Sequence, residues 1–448
     1  MSHKATFVLP ARRGSQRLAI PCWLVLKGWE FKGNSRLAVI CYPMEWEFGK
    51  GVPMQRERSS SMALVTGAPA GAGGLGGFAA TVLRALSHAG TPLHVLGPPP
   101  ADARLASLPG VVWHTPPRLL LASVQRWTPY RWLTGALQLK QDTHLGQWAA
   151  SCLEQLRPSR LYTFTQVGLE SLEWARRAGV PSVVDNPNGH IAGFRGVYVR
   201  ETWRQAHRLH LGHPTPASVR RIEREYTLAS AIRVSSPWSR DSMVSGGVPV
   251  GKIAVIDQLI DLERFRPPAT RPPAEGPLRV CFVGSLDVRK GFHYLLRAIR
   301  RVGPERVQLR IIGATGDRVS RQLFQRESQG LAVEAVPGDP RPAYANSELF
   351  VLPSLEDGFG LVVGEAMASG LPVIVTDQCG AAAWVEPGQT GWLVPAAQEQ
   401  ALAEALEKAL RHRAELPGMG ARARASVETR VAADPLARLR TWFESVVP

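Results

Sequence analysis

The chain has 448 residues, of which 45% are hydrophobic and 20% charged, and its formal net charge is +16 at pH 7. The length exceeds what one hydrophobic core usually organises, and the composition is too apolar for intrinsic disorder, so we expect a globular protein of two or three domains. Arginine carries most of the positive charge. This charge favours an anionic partner, which could be nucleotide phosphate, nucleic acid or an anionic membrane face. The alternative is that the arginine content reflects a general bias in amino-acid composition and serves no particular partner.

Cysteine usage and hydropathy favour a cytoplasmic location. The five cysteines are odd in number, far apart and without any C-x-x-C spacing, so they signal neither a disulfide framework nor a zinc site. No apolar run approaches the ~20 residues that a membrane span requires. Peripheral contact with the inner face of the plasma membrane is compatible with this location.

Residues 1–61 differ in character from the rest of the chain. They hold four of the eight lysines and three of the 13 tryptophans, without clear periodicity. We expect this segment to be a leader or a mis-called start that is not part of the fold. The alternative is a genuine accessory segment.

From Met62 onward, short β-rich runs alternate with helical patterns, which is typical of a parallel sheet in an α/β domain. The predicted strands of this first domain are residues 63–66, 93–96, 160–164, 182–185 and 231–235. The pattern stops at a proline-rich stretch, residues 267–273, which is too stiff for a helix or a central strand. We therefore assign residues 62–266 to a first domain and residues 267–277 to a linker.

A second β-α series follows the linker and forms a second domain, residues 278–434. Its predicted strands are residues 278–284, 307–312, 349–352 and 372–376. Residues 435–448 contain an amphipathic helix that needs an apolar surface, and the first domain could supply it. Two Rossmann-like domains thus face each other, and a ligand is expected in the cleft at the carboxyl ends of both sheets.

A glycine-rich turn follows the first strand of the first domain. Residues 71–76 match G-x-G-x-x-G, and residues 78–89 have helical composition. Glycines there let backbone N–H groups approach an anion at a positive helix end, so phosphate contact, a tight structural turn and a dinucleotide-binding dehydrogenase are all open. The dehydrogenase is disfavoured because strand 93–96 runs into Gly97 and prolines, with no acidic residue for a ribose hydroxyl.

Two adjacent cations, Arg289 and Lys290, follow the first strand of the second domain. A guanidinium can grip phosphate oxygens bidentately while an ammonium supplies a compact point charge, so the pair suits a diphosphate. Taken alone, the pair would equally fit a solvated basic loop.

Two carboxylates, Asp357 and Glu365, surround a Gly-Phe-Gly turn that enters a helix. At ~1.5 Å of rise per residue, their offset corresponds to about 12 Å, which roughly matches the reach from a sugar ring across a pyrophosphate to a ribose. Three backbone amides of this turn would point outward at the amino end of the helix. They belong to Phe359, Gly360 and Leu361.

Together these segments resemble glycosyltransferase family 4, which comprises retaining nucleotide-sugar enzymes of the GT-B fold. Residues 357–365 correspond to the E-x7-E motif of that family, and residues 284–298 resemble its G-x-L-x-x-x-K-G-x-x-x-L-L-x-A stretch. Residues 252–267 are similar to its inter-domain signature, with Asp261 and Phe265 in the expected places. The likeness covers about residues 62–445.

The resemblance implies a role for each motif. Glu365 would accept hydrogen bonds from the ribose, Asp357 would face hydroxyls of the transferred sugar, and Arg289 and Lys290 would neutralise the pyrophosphate. His190 matches a first-domain histidine thought to lie near the reacting sugar carbon. The remaining nucleotide-sugar contacts would come from Gly74, Gly76, Gly77, Phe359, Gly360 and Leu361.

The sequence departs from the family pattern at several positions. Asp357 replaces the usual first Glu of the motif, and Glu356 could compete for that role. Ser285 stands where many members carry a phosphate-binding Arg, so Arg289 would supply that charge. Leu259 replaces a common glycine in the inter-domain signature.

The expected function is retaining transfer of a sugar to a hydroxyl of a glycan, lipid-linked or small-molecule acceptor, in the synthesis of a cell-surface polysaccharide or glycolipid. No metal or other cofactor is expected, because the available cations suit the diphosphate and no Asp-x-Asp motif occurs. The alternative is a non-catalytic sugar-nucleotide-binding protein on the same fold.

Nucleic acid is not expected as a partner, since no recognised nucleic-acid-binding module occurs. Residues 118–140 mix aromatic and basic side chains and suit either an anionic membrane surface or a packed helix.

Overall fold

A computed structural model describes residues 23–31, 34–42, 59–87, 90–117, 134–208, 210, 212–313 and 316–446. The chain divides into two units, Met1–Glu57 and Arg58–Pro448. In the first unit, strands β1 (Trp23–Phe31) and β2 (Asn34–Tyr42) pair antiparallel, a hairpin that the sequence did not predict.

The second unit contains two parallel sheets. The first sheet has seven strands in the order β5-β4-β3-β6-β7-β8-β9. They are β3 (Ser59–Val65), β4 (Leu93–Leu96), β5 (Val111–His114), β6 (Pro158–Phe164), β7 (Ser182–Asp185), β8 (Ala231–Val234) and β9 (Ile253–Val255). The strand order reverses between β3 and β6, so the first βα turn lies at the point where doubly wound sheets bind ligands.

Seven described helices connect these strands. They are α1 (Gly73–Ser87), α2 (Ala103–Ala106), α3 (Thr134–Leu156), α4 (Leu169–Ala178), α5 (Ile191–Ala206), α6 (Pro216–Leu228) and α7 (Pro237–Ser245). Of the predicted membrane-facing or packed segment, residues 118–133 lie outside the described residues, and residues 134–140 open α3.

The second sheet has six strands in the order β12-β11-β10-β13-β14-β15. They are β10 (Leu278–Val283), β11 (Val307–Ile312), β12 (Val333–Val336), β13 (Leu349–Leu352), β14 (Val373–Thr376) and β15 (Gly391–Val394). Its helices are α8 (Phe292–Val302), α9 (Arg318–Glu327), α10 (Arg341–Asn346), α11 (Leu361–Ala368), α12 (Glu399–Arg411) and α13 (Leu416–Ala432). The order reverses between β10 and β13, and the basic and acidic motifs of the second domain follow these two strands.

The hydrophobic core explains why these segments are strands. Every residue of β13 is fully buried, as expected for a parallel strand covered on both faces. One apolar cluster extends from the α1 face of the first sheet into the second domain. The last helix, α14 (Pro435–Val446), buries Leu439 and Phe443 in this cluster, and Phe443 lies against Tyr162 of β6 with ring centroids 5.6 Å apart. The carboxyl-terminal helix therefore covers the first domain.

A buried ion pair holds the carboxyl ends of β7 and β8. Arg233 Nη1 donates to Asp185 Oδ2 at 2.8 Å, and both side chains are fully buried. Tyr162 Oη donates to the same oxygen at 2.7 Å, and Arg233 Nη2 donates to the Ile256 carbonyl at 2.8 Å. Buried charges require such partners. The pair fixes the start of the loop that leads from Asp185 to His190.

The α/β class with two Rossmann-like domains is confirmed. The first strand of the first domain begins at Ser59, three residues before the predicted domain boundary. Among the helices in the described part of the chain, none combines the length and apolar character needed to cross a membrane.

Candidate active site

The two predicted phosphate-binding cations lie on a single short turn after β10. Asp287 begins this 3-10 turn by accepting the Arg289 N–H with Oδ1 at 2.8 Å, and the turn covers Val288–Lys290. Gly291 ends it at φ +69°, where a Cβ would overlap the carbonyl oxygen of Pro353. Only glycine therefore allows the turn to enter α8 at this point.

Lys290 lies beside the first carboxylate of the predicted acidic motif. Its Nζ donates to Asp357 Oδ2, and both side chains are largely buried. Burial alone would raise the pKa of Asp357, but the charges of Lys290 and Arg289 outweigh it and hold the pKa below its ordinary value. Asp357 is consequently an anion that only accepts hydrogen bonds.

Arg289 is held by Glu356, the residue that precedes Asp357. Its Nη1 donates to the Glu356 carbonyl oxygen at 2.6 Å and to Glu356 Oε2 at 3.2 Å. Its guanidinium also lies 4.9 Å from the ring centroid of Phe194, which belongs to the first domain. Burial would lower the pKa of Arg289, but the surrounding tyrosine and carboxylates raise it above its usual range. The two adjacent acids thus have separate cations.

The Gly-Phe-Gly turn brings α11 to the inter-domain seam. The Gly358 carbonyl accepts hydrogen bonds from Ser236 Oγ at 2.6 Å and Ser239 Oγ at 2.8 Å, both from the first domain. Phe359 is buried against Trp384, with ring centroids 4.9 Å apart. Gly360 has φ +81°, a conformation that glycine adopts without strain, and α11 begins directly after it.

Glu365 lies in the second turn of α11. Tyr344 Oη donates to Glu365 Oε2 at 3.1 Å. Burial raises the pKa of Glu365 from its ordinary value of 4.5 to about 7, although the Tyr344 hydroxyl and the charge of Arg264 oppose the rise. This carboxyl group can therefore gain or lose a proton near neutral pH.

His190 has a structural task at the end of its loop. It is the N-cap of α5, where its Nδ1 accepts the Ala192 N–H at 3.3 Å. The backbone N–H of His190 donates to Ser242 Oγ at 2.9 Å. Burial lowers the pKa of His190, which favours the neutral ring. With Nδ1 as an acceptor, the neutral ring carries its proton on Nε2.

The glycine-rich turn of the first domain opens α1 and reaches the second domain. Gly73 starts the helix, and Gly74 is exposed with open space around a hypothetical Cβ. A Cβ on Gly76 would instead overlap the carbonyl oxygen of Pro69. A Cβ on Gly77 would lie 3.3 Å from Cδ1 of Leu361, the first residue of α11. The amino ends of α1 and α11 therefore adjoin, and both carry partial positive charge.

The structure thus groups most of the predicted site residues. Arg289, Lys290 and Asp357 form one cluster, and Gly77 lies against Leu361, four residues after Asp357 in the chain. His190 is joined to the cluster through the preceding residue, because the Gly189 N–H donates to Glu356 Oε1 at 2.9 Å. Phe359 contributes a buried side chain, so only its main chain can reach a ligand.

Sequence reasoning missed several residues at this site. Glu356 appeared only as a competitor of Asp357, and its first-domain partners lie more than 150 positions away along the chain. Tyr344, Phe194 and Tyr198 gave no separate signal, although Phe194 and Tyr198 have the i, i+4 spacing of one helix face.

Comparison with known proteins supports the GT-B class. Residues 277–412 match the family described as glycosyl transferases group 1. A sucrose-phosphate synthase from Thermosynechococcus elongatus superposes with a TM-score of 0.67 at 22% identity, covering 86% of this chain and 99% of that one. Anabaena HepE in complex with UDP and glucose superposes with a TM-score of 0.60 at 16% identity, covering 86% and 98%. The fold is therefore GT-B, two Rossmann-like domains facing each other across a cleft.

Part of the chain is similar in sequence to curated glycosyltransferases. The putative colanic acid biosynthesis glycosyltransferase WcaL of Salmonella typhimurium is 32% identical over 187 residues, which are 39% of this chain and 45% of the relative. A GDP-mannose-dependent alpha-mannosyltransferase of Mycolicibacterium smegmatis is 32% identical over 239 residues, 51% of this chain and 58% of the relative. The chain spans about half the length of the curated relatives it matches.

Two glycine substitutions distinguish the two interpretations of the glycine-rich turn, namely a tight structural turn and a phosphate contact. Gly76→Ala should destabilise the protein by about 1–3 kcal/mol, because its Cβ has no space. Gly74→Ala should change the stability by less than about 0.5 kcal/mol, because its Cβ meets open space. If Gly74 approaches a diphosphate, Gly74→Ala should still weaken UDP or GDP binding, measured by calorimetry. Unchanged binding in a stable Gly74→Ala protein would leave the turn a purely structural one.

The raised pKa of Glu365 predicts a pH-dependent stability. Between pH 4.5 and about 7 the folded protein holds a proton that the unfolded chain has lost, so this group lowers stability as pH rises through that window. Glu365→Gln cannot ionise and still accepts from Tyr344. Its stability relative to wild type should therefore rise by about 3 kcal/mol between pH 4.5 and 8 in urea titrations. Glu334→Gln, at an exposed carboxyl, is the control, and an equal offset at every pH for Glu365→Gln would contradict the prediction.

Proposed function

We propose that this protein is a retaining glycosyltransferase, which moves a sugar from a nucleoside-diphosphate sugar to a hydroxyl of a glycan or lipid-linked acceptor on the cytoplasmic side of the membrane. The observation that carries the proposal is that Arg289 and Lys290 contact Glu356 and Asp357, in the loop that leads into α11, whose first residue Leu361 lies against Gly77 of α1. Cations and helix amino ends together form a strong site for a diphosphate.

The comparisons support the same class. The matched family is that of group 1 glycosyltransferases. Relatives are named for colanic acid, capsular polysaccharide and amylovoran biosynthesis. We therefore propose that the product belongs to a cell-surface polysaccharide or glycolipid. A UDP-sugar or GDP-sugar donor is consistent with the names of the HepE complexes and of the mannosyltransferase.

Charge on the leaving group is the main catalytic demand. The bond between the anomeric carbon and the diphosphate breaks as the sugar becomes cationic, so negative charge grows on the leaving phosphate oxygens. Fixed cations and amides stabilise that charge without reorganising. Lys290 has three N–H donors, so its bond to Asp357 leaves donors for a phosphate. With these groups in place, we propose that transfer needs no divalent metal.

The acids and the histidine would orient the donor. Asp357, held as an anion, would accept from hydroxyls of the transferred sugar. Glu365 would accept from the ribose, with Tyr344 fixing its carboxyl group. His190 would donate from Nε2 to the sugar near the reacting carbon. Retention would follow if the acceptor attacks the face from which the diphosphate leaves and a phosphate oxygen takes the acceptor proton.

A panel of sugar nucleotides tests the proposal. At least one UDP-sugar or GDP-sugar should raise the unfolding temperature of the wild-type protein and be turned over, and EDTA should not abolish turnover. Lys290→Ala and Glu365→Ala should each lower turnover about 100-fold or more, because each removes a group that faces the donor. Lys408→Ala, an exposed lysine on α12 of the same domain, is the matched control.

Near-normal turnover in both Lys290→Ala and Glu365→Ala would overturn the assignment. Stabilisation by a sugar nucleotide without hydrolysis or transfer would instead favour a non-catalytic sugar-nucleotide-binding protein. No stabilisation by any member of the panel would reject both functions.

A further inference from the structure

The carboxyl group of Glu356 joins the two domains. Its side chain is only 4% exposed. Oε2 accepts from Arg289 Nη1 of the second domain at 3.2 Å, and Oε1 accepts from the Gly189 N–H of the first domain at 2.9 Å. One buried carboxylate therefore contacts a cation on one side of the seam and a backbone amide on the other.

The seam around this contact is tightly packed. A Cβ on Gly358, two residues after Glu356, would overlap the carbonyl oxygen of Pro187. The Gly358 carbonyl is bonded to Ser236 and Ser239 of the first domain. The loop before α5 and the loop after β13 thus meet so closely that position 358 has no room for a side chain, and the Glu356 carboxyl group lies in the same contact.

Helix α5 of the first domain makes further contacts with Arg289 and with the turn that carries it. The Arg289 guanidinium lies over the ring of Phe194, which is one helical turn beyond His190 on α5. Tyr198, one turn further, donates from Oη to Asp287 Oδ2 at 2.9 Å, and Asp287 caps the turn that carries Arg289. The first domain therefore contacts both the side chain and the backbone turn of this arginine.

The adjacent acids are divided between two tasks. Asp357 pairs with Lys290, whereas Glu356 turns toward Gly189 and Arg289. We propose that Glu356 is a positioning residue for sugar transfer, which holds Arg289 and the His190 loop in one fixed arrangement across the domain seam. This role rests on the proposed function, since Arg289 matters to catalysis only if a diphosphate leaves beside it.

Two variants separate the contacts of Glu356. Glu356→Gln keeps an amide oxygen for the Gly189 N–H but loses the charge that faces Arg289. Glu356→Ala loses both side-chain contacts. A hydrogen bond to a charged group is stronger than a neutral one. We therefore expect loss of the Gly189 contact to change the exchange rate of the Gly189 amide, and loss of the Arg289 contact to change kcat, each by about tenfold or more.

Hydrogen exchange tests the connection without any ligand. In Glu356→Ala, the Gly189 amide of the other domain should exchange about tenfold faster than in wild type, resolved by fragmentation mass spectrometry. Glu356→Gln should stay close to wild type, since it retains an acceptor. Glu334→Gln, an exposed carboxyl in the same domain, is the control and should leave Gly189 unchanged. Unchanged protection in a folded Glu356→Ala protein would overturn the proposed connection.

Kinetics test the catalytic consequence. Charge on the leaving group is largest in the transition state, so Glu356→Gln should lower kcat for hydrolysis of a UDP-sugar or GDP-sugar about tenfold or more while changing donor KM less than threefold. Arg289→Lys should also lower kcat. The double variant should be no slower than Arg289→Lys alone, because Glu356 acts through Arg289.

The outcomes distinguish this role from the proposed function. Independent, multiplying losses of kcat in the two single variants would contradict positioning through Arg289. A wild-type protein that neither binds nor hydrolyses any sugar nucleotide would reject the proposed function and with it the catalytic role. In that case the exchange rate of Gly189 still decides whether Glu356 holds the two domains together.

Discussion

The architecture of this site depends on the burial of two adjacent cations between two parallel sheets. Removing a charge from water is costly unless a partner is fixed beside it. Arg289 and Lys290 meet that condition with Glu356 and Asp357, which are also adjacent in sequence. The strand order brings the four groups together, because β10 and β13 are neighbours and their loops leave the same edge of the sheet.

Several residues with a proposed role in donor binding or transfer also make contacts that stabilise the fold. His190 caps α5 with one ring nitrogen and so fixes its proton on the other. Gly77 is small enough for α1 to approach α11, which joins two positive helix ends. Glu356 links the domains through Gly189. The geometry around the proposed diphosphate site is therefore a property of the inter-domain contact as much as of either domain.

The sequence predicted the fold class because buried parallel strands such as β13 read as continuous apolar runs. The strands missed in the two parallel sheets are β5, β9, β12 and β15, which are three or four residues long and only partly buried, so they carry no clear pattern. Motif spacing singled out Arg289, Lys290, Asp357 and Glu365, which all lie in the second domain, the first three of them in one cluster. It could not decide between Glu356 and Asp357, since that choice depends on contacts with residues far away along the chain.

A crystal structure of the protein with UDP or GDP is the most direct test of the proposed diphosphate site. We expect the diphosphate to lie between the amino ends of α1 and α11, with oxygens within hydrogen-bond distance of Lys290 Nζ and the Arg289 guanidinium. A diphosphate bound away from this point, with Arg289 and Lys290 engaged only by Glu356 and Asp357, would contradict it.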